Sequence, residues 1–299
     1  MKGFKKNLLL ASIVTSGTLV SCGGGDAKTN EGNKTPENKP EVVEDRTEKI
    51  ENIFFNIPSP LETVNILKNA GATYEWELPL DPNLVDKYEG SVVEAMNMGI
   101  YSADLNYASV FNKTNDMYMF LACAEKLGNK LGVGQVFNKS ITDRIESNVE
   151  NRDSMQAIIS ETFWNVDATL QEENREAVSA LIVAGGWLEG IYLSTQLAVL
   201  NPNNEEIKMR IAEQKYSIDN LIKLLESYND SPELEDVRAN FADLNELFKQ
   251  IEEKETGLSE TTSEGETPVI GKMIELNMSQ ELLDQITQLT SEIRVEYTQ

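Results

Sequence analysis

Four acidic residues lie inside strongly apolar stretches of this chain, where a buried carboxylate is costly unless it is paired or has a function. They are Asp104, Glu161, Asp167 and Glu189. The aromatic residues close to them in sequence include Tyr101, Trp164, Trp187 and Tyr192. A desolvated carboxyl group beside aromatic rings has a raised pKa and can act as a general acid. Two such groups at a suitable separation can hydrolyse a glycosidic bond.

These residues also define a hypothesis of a ligand pocket built from aromatic and carboxylate side chains. Its candidate ligand-binding residues are Glu161, Trp164, Trp187, Glu189 and Tyr192. Asp104 and Tyr101 could join them from an earlier helix. The alternative is structural, because buried acids usually pair with an arginine, a tyrosine hydroxyl or a backbone group. Three arginines are available in this part of the chain: Arg144, Arg152 and Arg175.

The composition excludes several classes of chemistry. The 299 residues contain no His and only two Cys, so Ser-His-Asp triads, Cys-His dyads and His-containing zinc sites cannot form. No run matches a calcium-binding loop or a Gly-rich phosphate loop. We therefore predict no catalytic residue, no metal ligand and no cofactor. With 50 Asp+Glu against 26 Lys+Arg, the net charge of −24 also argues against a nucleic-acid partner.

The N-terminus has the pattern of a secretory signal. Lys2, Lys5 and Lys6 precede an uncharged apolar run over 8–20, and the small Ser21 comes next. The run is too short for a membrane span, which needs about 20 residues. We predict a signal peptide over 1–21 that is removed from the mature chain.

The end of this signal, Leu19-Val20-Ser21-Cys22, resembles the lipobox of bacterial lipoproteins. The resemblance implies that Cys22 is the lipidation site and carries a diacylglyceryl thioether and an N-acyl chain such as palmitate. Gly-Gly-Gly and a polar tether over 22–49 are similar to lipoproteins of Bacteroidota. The resemblance therefore implies the cell envelope, with the outer membrane as the expected site. Many surface lipoproteins of this group carry an acidic cluster just after the lipidated Cys, whereas this chain has only Asp26 there. Both the periplasmic and the surface face of the outer membrane therefore remain as alternatives.

From about residue 50 the apolar spacing is three to four, which predicts an all-α helical bundle over 50–299. We expect about eight or nine helices, built from antiparallel hairpins. Ser59-Pro60-Leu61-Glu62 predicts a helix start with a capping box. The stretch 72–82, bounded by prolines, is expected to be extended.

Two segments of this helical domain stand out. The helix predicted over 175–200 is apolar on every side, which indicates a buried central helix or, less well, a membrane span. Within it, Gly186 and Gly190 would let a neighbouring backbone approach closely. A heptad-like pattern predicts a long helical hairpin over 206–255, followed by a mobile acidic loop over 256–268.

Three classes of function remain open at this stage. The first is a non-catalytic lipoprotein that binds or scaffolds a protein partner in the cell envelope, which the tether and the helical hairpins favour. The second is a small-molecule or glycan-binding lipoprotein that uses the predicted pocket. The third is a carboxylate-dependent hydrolase, which needs two carboxylates facing each other across a cleft. In each case the lipid anchor makes the membrane a partner.

Overall fold

The computed structural model describes most of the chain after the predicted tether. The described residues are 53, 56–149, 151–261 and 269–299. The predicted signal peptide (1–21), the lipidation site Cys22 and the tether (22–49) lie outside the described residues. Residues 262–268 of the predicted acidic loop lie outside them as well.

The described residues form an all-α bundle with one small β-hairpin, which confirms the predicted fold class. The helices are α1 (Pro60–Asn69), α2 (Ser91–Val110), α3 (Thr114–Lys130), α4 (Lys139–Ser147), α5 (Arg152–Glu172), α6 (Glu176–Leu200), α7 (Glu205–Glu226), α8 (Glu235–Phe248) and α9 (Gln280–Thr298). The strands are β1 (Glu252–Thr261) and β2 (Val269–Asn277). The predicted extended stretch 72–82 contains turns and coil and leads into a 3₁₀ helix over Pro82–Lys87.

Helix α1 begins with the predicted capping box. The Glu62 backbone N–H donates to Ser59 Oγ at 3.2 Å, and the Ser59 N–H donates to Glu62 Oε2 at 2.8 Å. These two bonds satisfy backbone donors that a helix start otherwise leaves free. The local sequence therefore fixes the position at which α1 begins, and α1 forms one wall of the groove described below.

Helices α2 and α6 pack against each other at the centre of the bundle. Glycines make this close crossing possible, because a Cβ atom at Gly99 would lie 2.1 Å from Ile182 O, and one at Gly185 would lie 2.0 Å from Met96 O. Helix α6 is long and apolar enough to cross a membrane, but 72% of its apolar window is buried inside the bundle. It is therefore the predicted buried central helix.

The β-hairpin corrects the prediction for the region after the helical hairpin. Helix α8 ends at Phe248 rather than near 255, and the predicted loop 256–268 begins inside β1. The strands pair antiparallel, with Glu252 opposite Asn277. The side chains of 252–257 are exposed. Since neither face of this part of the strand is buried, the apolar alternation that marks a half-buried strand is missing from its sequence.

Candidate functional site

The structure does not bring the five predicted ligand residues into one pocket. Trp164 lines a surface groove, whereas Trp187 lies in the core and Glu161 pairs with an arginine on another helix. Only Glu189 and Tyr192 meet, through a shared arginine. The five residues therefore do not line one common pocket, although one of them lines a surface groove.

Trp187 is a core residue. It is 4% exposed, and its ring centroid lies 5.9 Å from that of Phe241 and 6.1 Å from that of Phe248. Its indole Nε1 donates to Ser217 Oγ at 2.9 Å. The indole is thus packed on α8 and hydrogen-bonded to α7, with no surface left for a ligand.

Glu161 makes a surface ion pair. Arg144 donates to its two carboxylate oxygens at 3.0 Å and 2.7 Å, a bidentate arrangement across α4 and α5. These hydrogen bonds lower the pKa of the Glu161 carboxyl group below its usual value. The carboxylate is half exposed and faces Arg144, so the structural interpretation applies to this residue.

Glu189 also makes an ion pair, but this one is buried. Arg294 of α9 donates from Nε to Glu189 Oε2 at 2.5 Å and from Nη2 to Oε1 at 2.8 Å. The guanidinium carbon lies 3.9 Å from the centre of the Tyr192 ring, in cation–π contact. The partner of Glu189 is thus none of Arg144, Arg152 and Arg175 but an arginine 105 residues away in sequence.

Asp104 of α2 completes this buried cluster. Its Oδ2 accepts the Leu80 backbone N–H at 3.0 Å, while its Oδ1 has no donor among the described residues. Burial, and then the neighbouring Glu189 carboxylate, raise the pKa of Asp104 well above its usual value. Both side chains are 0% exposed, so no substrate can reach them from solvent. This geometry does not support the hydrolase hypothesis.

The groove lies between α1, α2, α5 and α6 and has a volume of about 290 Å³. It is lined mostly by apolar side chains, with Trp164 55% exposed beside them. The residues that line it are Ile57, Pro58, Ser59, Pro60, Leu61, Ser102, Asn106, Ile159, Ser160, Phe163, Trp164, Val166, Asp167, Ser179, Ile182, Val183 and Gly186.

Glycines of α6 set how closely α1 approaches at this groove. A Cβ atom at Gly186 would lie 3.1 Å from Pro60 Cγ, and one at Gly190 would lie 3.3 Å from Thr63 Cγ2. The predicted close approach at this glycine pair is therefore made by α1. The distances are tight enough that a larger side chain at position 186 would push α1 away and reshape the groove.

The groove has few polar groups, and most of them bond to each other. Ser179 Oγ donates to Asp167 Oδ1, and Gln171 Nε2 donates to Asp167 Oδ2 at 2.8 Å. Asn106 Nδ2 donates to Ser102 O at 2.8 Å, but Asn106 Oδ1 has no partner among the described residues. The sequence analysis did not single out Asn106, although an amide side chain within a mostly apolar helix is a visible signal.

The remaining candidates do not form a second chemical site. Among the described residues, no group of three His, Cys, Asp or Glu side chains could hold a metal ion. Cys123 is buried, and burial raises the pKa of its thiol to about 12. Because thiolates and not thiols are nucleophilic, this cysteine has the character of a buried apolar residue.

Comparison with known proteins adds no further constraint. A scan against protein-family models and searches of curated proteins and of solved structures found no match to this chain. The groove geometry and the sequence features are therefore the basis for a functional proposal.

Proposed function

We propose that this protein is a non-catalytic binding protein, held at the outer membrane by a lipid on Cys22, that takes a small apolar molecule in the groove. The observation that carries the binding proposal is the 290 Å³ groove, which is lined mainly by apolar side chains and is bordered by the half-exposed ring of Trp164. Ligand sites in proteins are typically apolar concavities with a few placed polar groups. The groove has both properties.

Fluorine NMR tests this proposal at residue level. The chain has three tryptophans in three environments, namely Trp164 at the groove, Trp187 in the core and Trp76 at an exposed site. In protein labelled with 5-fluorotryptophan, added indole should shift the Trp164 signal in a saturable way. The Trp76 signal is the matched control and should not move. No saturable shift, or an equal shift at Trp76, would contradict the proposal.

The membrane location rests on the N-terminal sequence. Three lysines, a short apolar run and a small residue before Cys22 support export and lipidation. Two or more acyl chains hold a protein stably on a membrane, whereas a single chain does so only marginally. Cys22→Ala should release the protein into the soluble fraction, while Cys123→Ala should leave it membrane-bound. A Cys22→Ala protein that stays in the membrane pellet would overturn the anchor.

A protein partner is the second candidate, and the β-hairpin favours it. The sheet has only two strands, so the outer edges of β1 and β2 have no strand neighbour in the described part of the chain. Such edges can pair with a strand from another protein. In the exposed part of β1, Glu253 pairs with Lys215 at 2.9 Å, whereas Glu252 offers an exposed carboxylate to a basic partner strand.

Purification of the lipidated protein from its own envelope tests this second candidate. A stoichiometric partner that is lost with Glu252→Lys, but kept with Glu233→Lys, would support docking at the hairpin. Glu233 is an exposed acidic residue in a separate segment and serves as the matched control. Without a co-purifying protein in mild detergent, the hairpin candidate fails.

A further inference from the structure

Asp167 is a carboxylate in the wall of the groove whose hydrogen-bond partners are all neutral. It is partly exposed, and it accepts hydrogen bonds from Ser179 Oγ on Oδ1 and from Gln171 Nε2 on Oδ2. No Lys or Arg side chain in the described part of the chain pairs with it. A carboxylate can accept about four hydrogen bonds, so these two contacts leave part of its capacity to a ligand.

Two other acidic residues of this region do have cationic partners. Glu161 of α5 pairs with Arg144, and Glu189 of α6 pairs with Arg294. A carboxylate in mostly apolar surroundings is stabilised by a nearby positive charge. The described side chains supply no such charge to Asp167, and the groove beside it leaves room for a ligand that does.

Two aromatic side chains accompany this carboxylate on one face of α5. Phe163 and Trp164 precede Asp167 by four and three residues, so the three side chains lie on the same side of the helix. All three line the groove, and Trp164 is 55% exposed. Aromatic faces attract cations and also pack against apolar groups. A carboxylate beside exposed aromatic surface is the combination that binds an organic ammonium ion.

The charge of the groove and of the whole chain favours a ligand of the same sign. No Lys or Arg lines the groove, and Asp167 is its one ionisable side chain. The net charge of −24 adds a field that attracts cations and repels anions. A carboxylate or phosphate on the ligand would lose its hydration here and find no cation. This argues against fatty acids, and against phospholipids whose ammonium group comes with a phosphate.

We infer that the ligand is a small organic amine in its protonated form, whose ammonium group pairs with Asp167 and whose apolar part packs against Phe163 and Trp164. This inference rests on the proposed binding function and adds a positive charge to the ligand of that same site. It makes Asp167 the residue that selects for the charge, while the apolar lining binds the rest of the molecule.

Three indoles that differ in charge test this inference. Tryptamine carries an ammonium group, 3-propylindole has nearly the same size without a charge, and indole-3-propionate carries a carboxylate. In calorimetric titrations at low salt, tryptamine should bind about tenfold more tightly than 3-propylindole, through a partly desolvated ion pair and a cation–π contact. Indole-3-propionate should bind at least about tenfold more weakly than 3-propylindole. The full chain carries Cys22→Ser for these titrations, so that no lipid is attached.

The variant Asp167→Asn tests the assigned residue. Asparagine keeps the side-chain size and an oxygen that can accept the Ser179 hydrogen bond. The neutral probe should therefore still bind, and the preference for tryptamine should fall to within about twofold, which the field of the whole chain still supplies. Glu172→Gln is the control, because it removes a charge from the same helix at an exposed residue outside the groove lining. It should keep the preference for tryptamine.

The outcomes separate the charge of the ligand from the binding function itself. If none of the three indoles binds, the proposed function fails together with this inference. If 3-propylindole binds as tightly as tryptamine, or if Asp167→Asn keeps the preference for tryptamine, only the inference about charge is overturned. Equal binding of indole-3-propionate and 3-propylindole would overturn it as well.

Salt provides a test that needs no substitution at Asp167, so it decides even where the variant does not fold. Added salt screens charge pairs and should narrow the gap between tryptamine and 3-propylindole. A gap that stays constant from low to high salt would contradict an ion pair with Asp167.

Discussion

The groove and the Asp104–Glu189–Arg294 cluster are both built on helices α2 and α6, but they have opposite characters. Ser102 and Asn106 of α2 line the groove, whereas Asp104, between them in sequence, belongs to the cluster. The cluster holds three ionisable side chains and is sealed from solvent. The groove is mostly apolar and open. In this bundle, buried charge marks a structural contact, and the accessible groove is lined mainly by apolar side chains.

The largest expected effect comes from breaking the sealed cluster. Arg294→Met leaves the Glu189 carboxylate buried without its partner, and breaking a buried ion pair in this way costs about 3–5 kcal/mol. The double variant Glu189→Met/Arg294→Met should recover part of this loss, because it leaves no unpaired charge from this pair. Urea denaturation measures both. A loss below about 1 kcal/mol for Arg294→Met would show that the cluster contributes little to stability.

The next largest loss of stability is expected at the crossing of α2 and α6, the two helices on which both regions are built. Gly185→Ala places a methyl group against the Met96 backbone carbonyl, which cannot move without shifting α2. Overpacking of this kind costs about 1–3 kcal/mol. Gly190→Ala on the same helix is the control, because its nearest contact is the Thr63 side chain at 3.3 Å and not a backbone carbonyl. Equal unfolding free energies for the two variants would contradict the proposed rigidity of the crossing.

The pH dependence of stability sharpens the contrast between the regions. The pKa of Asp104 is higher in the folded than in the unfolded protein, so folding favours its protonated form. This contribution to stability is fully present below the unfolded pKa of about 3.9 and is lost as the pH rises through the folded pKa. The loss approaches about 1.4 kcal/mol per pH unit between the two values.

The variant Asp104→Asn removes the contribution of Asp104 protonation to the pH dependence of stability. The amide stays neutral, can accept the Leu80 N–H and can donate to Glu189. Compared with the unsubstituted protein, the variant should lose less stability as the pH rises above about 4. The measurement is a series of urea titrations from pH 4 to pH 8. Parallel curves for the two proteins would mean that Asp104 does not retain its proton on folding.

The smallest expected effect is on ligand binding in the groove. Trp164→Ala removes an aromatic face from the groove and should weaken indole binding by about 1 kcal/mol, in the range of aromatic pair contacts. Trp76→Ala is the control, because this ring is 74% exposed and does not line the groove. Calorimetry measures both affinities. Equal weakening by the two variants would place the binding site elsewhere.

The sequence predicted the helices well, because the signals that define them are local. The helix predicted over 175–200 corresponds to α6, and the predicted capping box at Ser59 is present. The β-hairpin was missed, because exposed polar strands lack the apolar alternation that strand prediction relies on. The predicted helical hairpin over 206–255 covered the start of β1, and the predicted loop over 256–268 covered the end of β1, for the same reason.

The candidate site was predicted only in part. Trp164 lines the groove, but the other four predicted ligand residues serve the core or pair with arginines. Of the four acidic residues singled out, Asp104 and Glu189 are buried, whereas Glu161 is half exposed and pairs with Arg144 of the neighbouring helix. The partner of Glu189 comes from a distant helix. Spacing along a single helix cannot show which distant side chain meets a given face.

The sequence by itself determined that the described chain is a helical bundle with α6 at its centre, because apolar periodicity and helix caps are properties of neighbouring residues. Tertiary structure decided which buried groups are satisfied. Arg294 reaches Glu189 across 105 residues, and α1 and α5 flank α6 to form a groove around Asn106. Such pairings depend on how whole helices pack against each other. The packing of helix faces, and not local composition, decides whether a buried acceptor lies beside a donor.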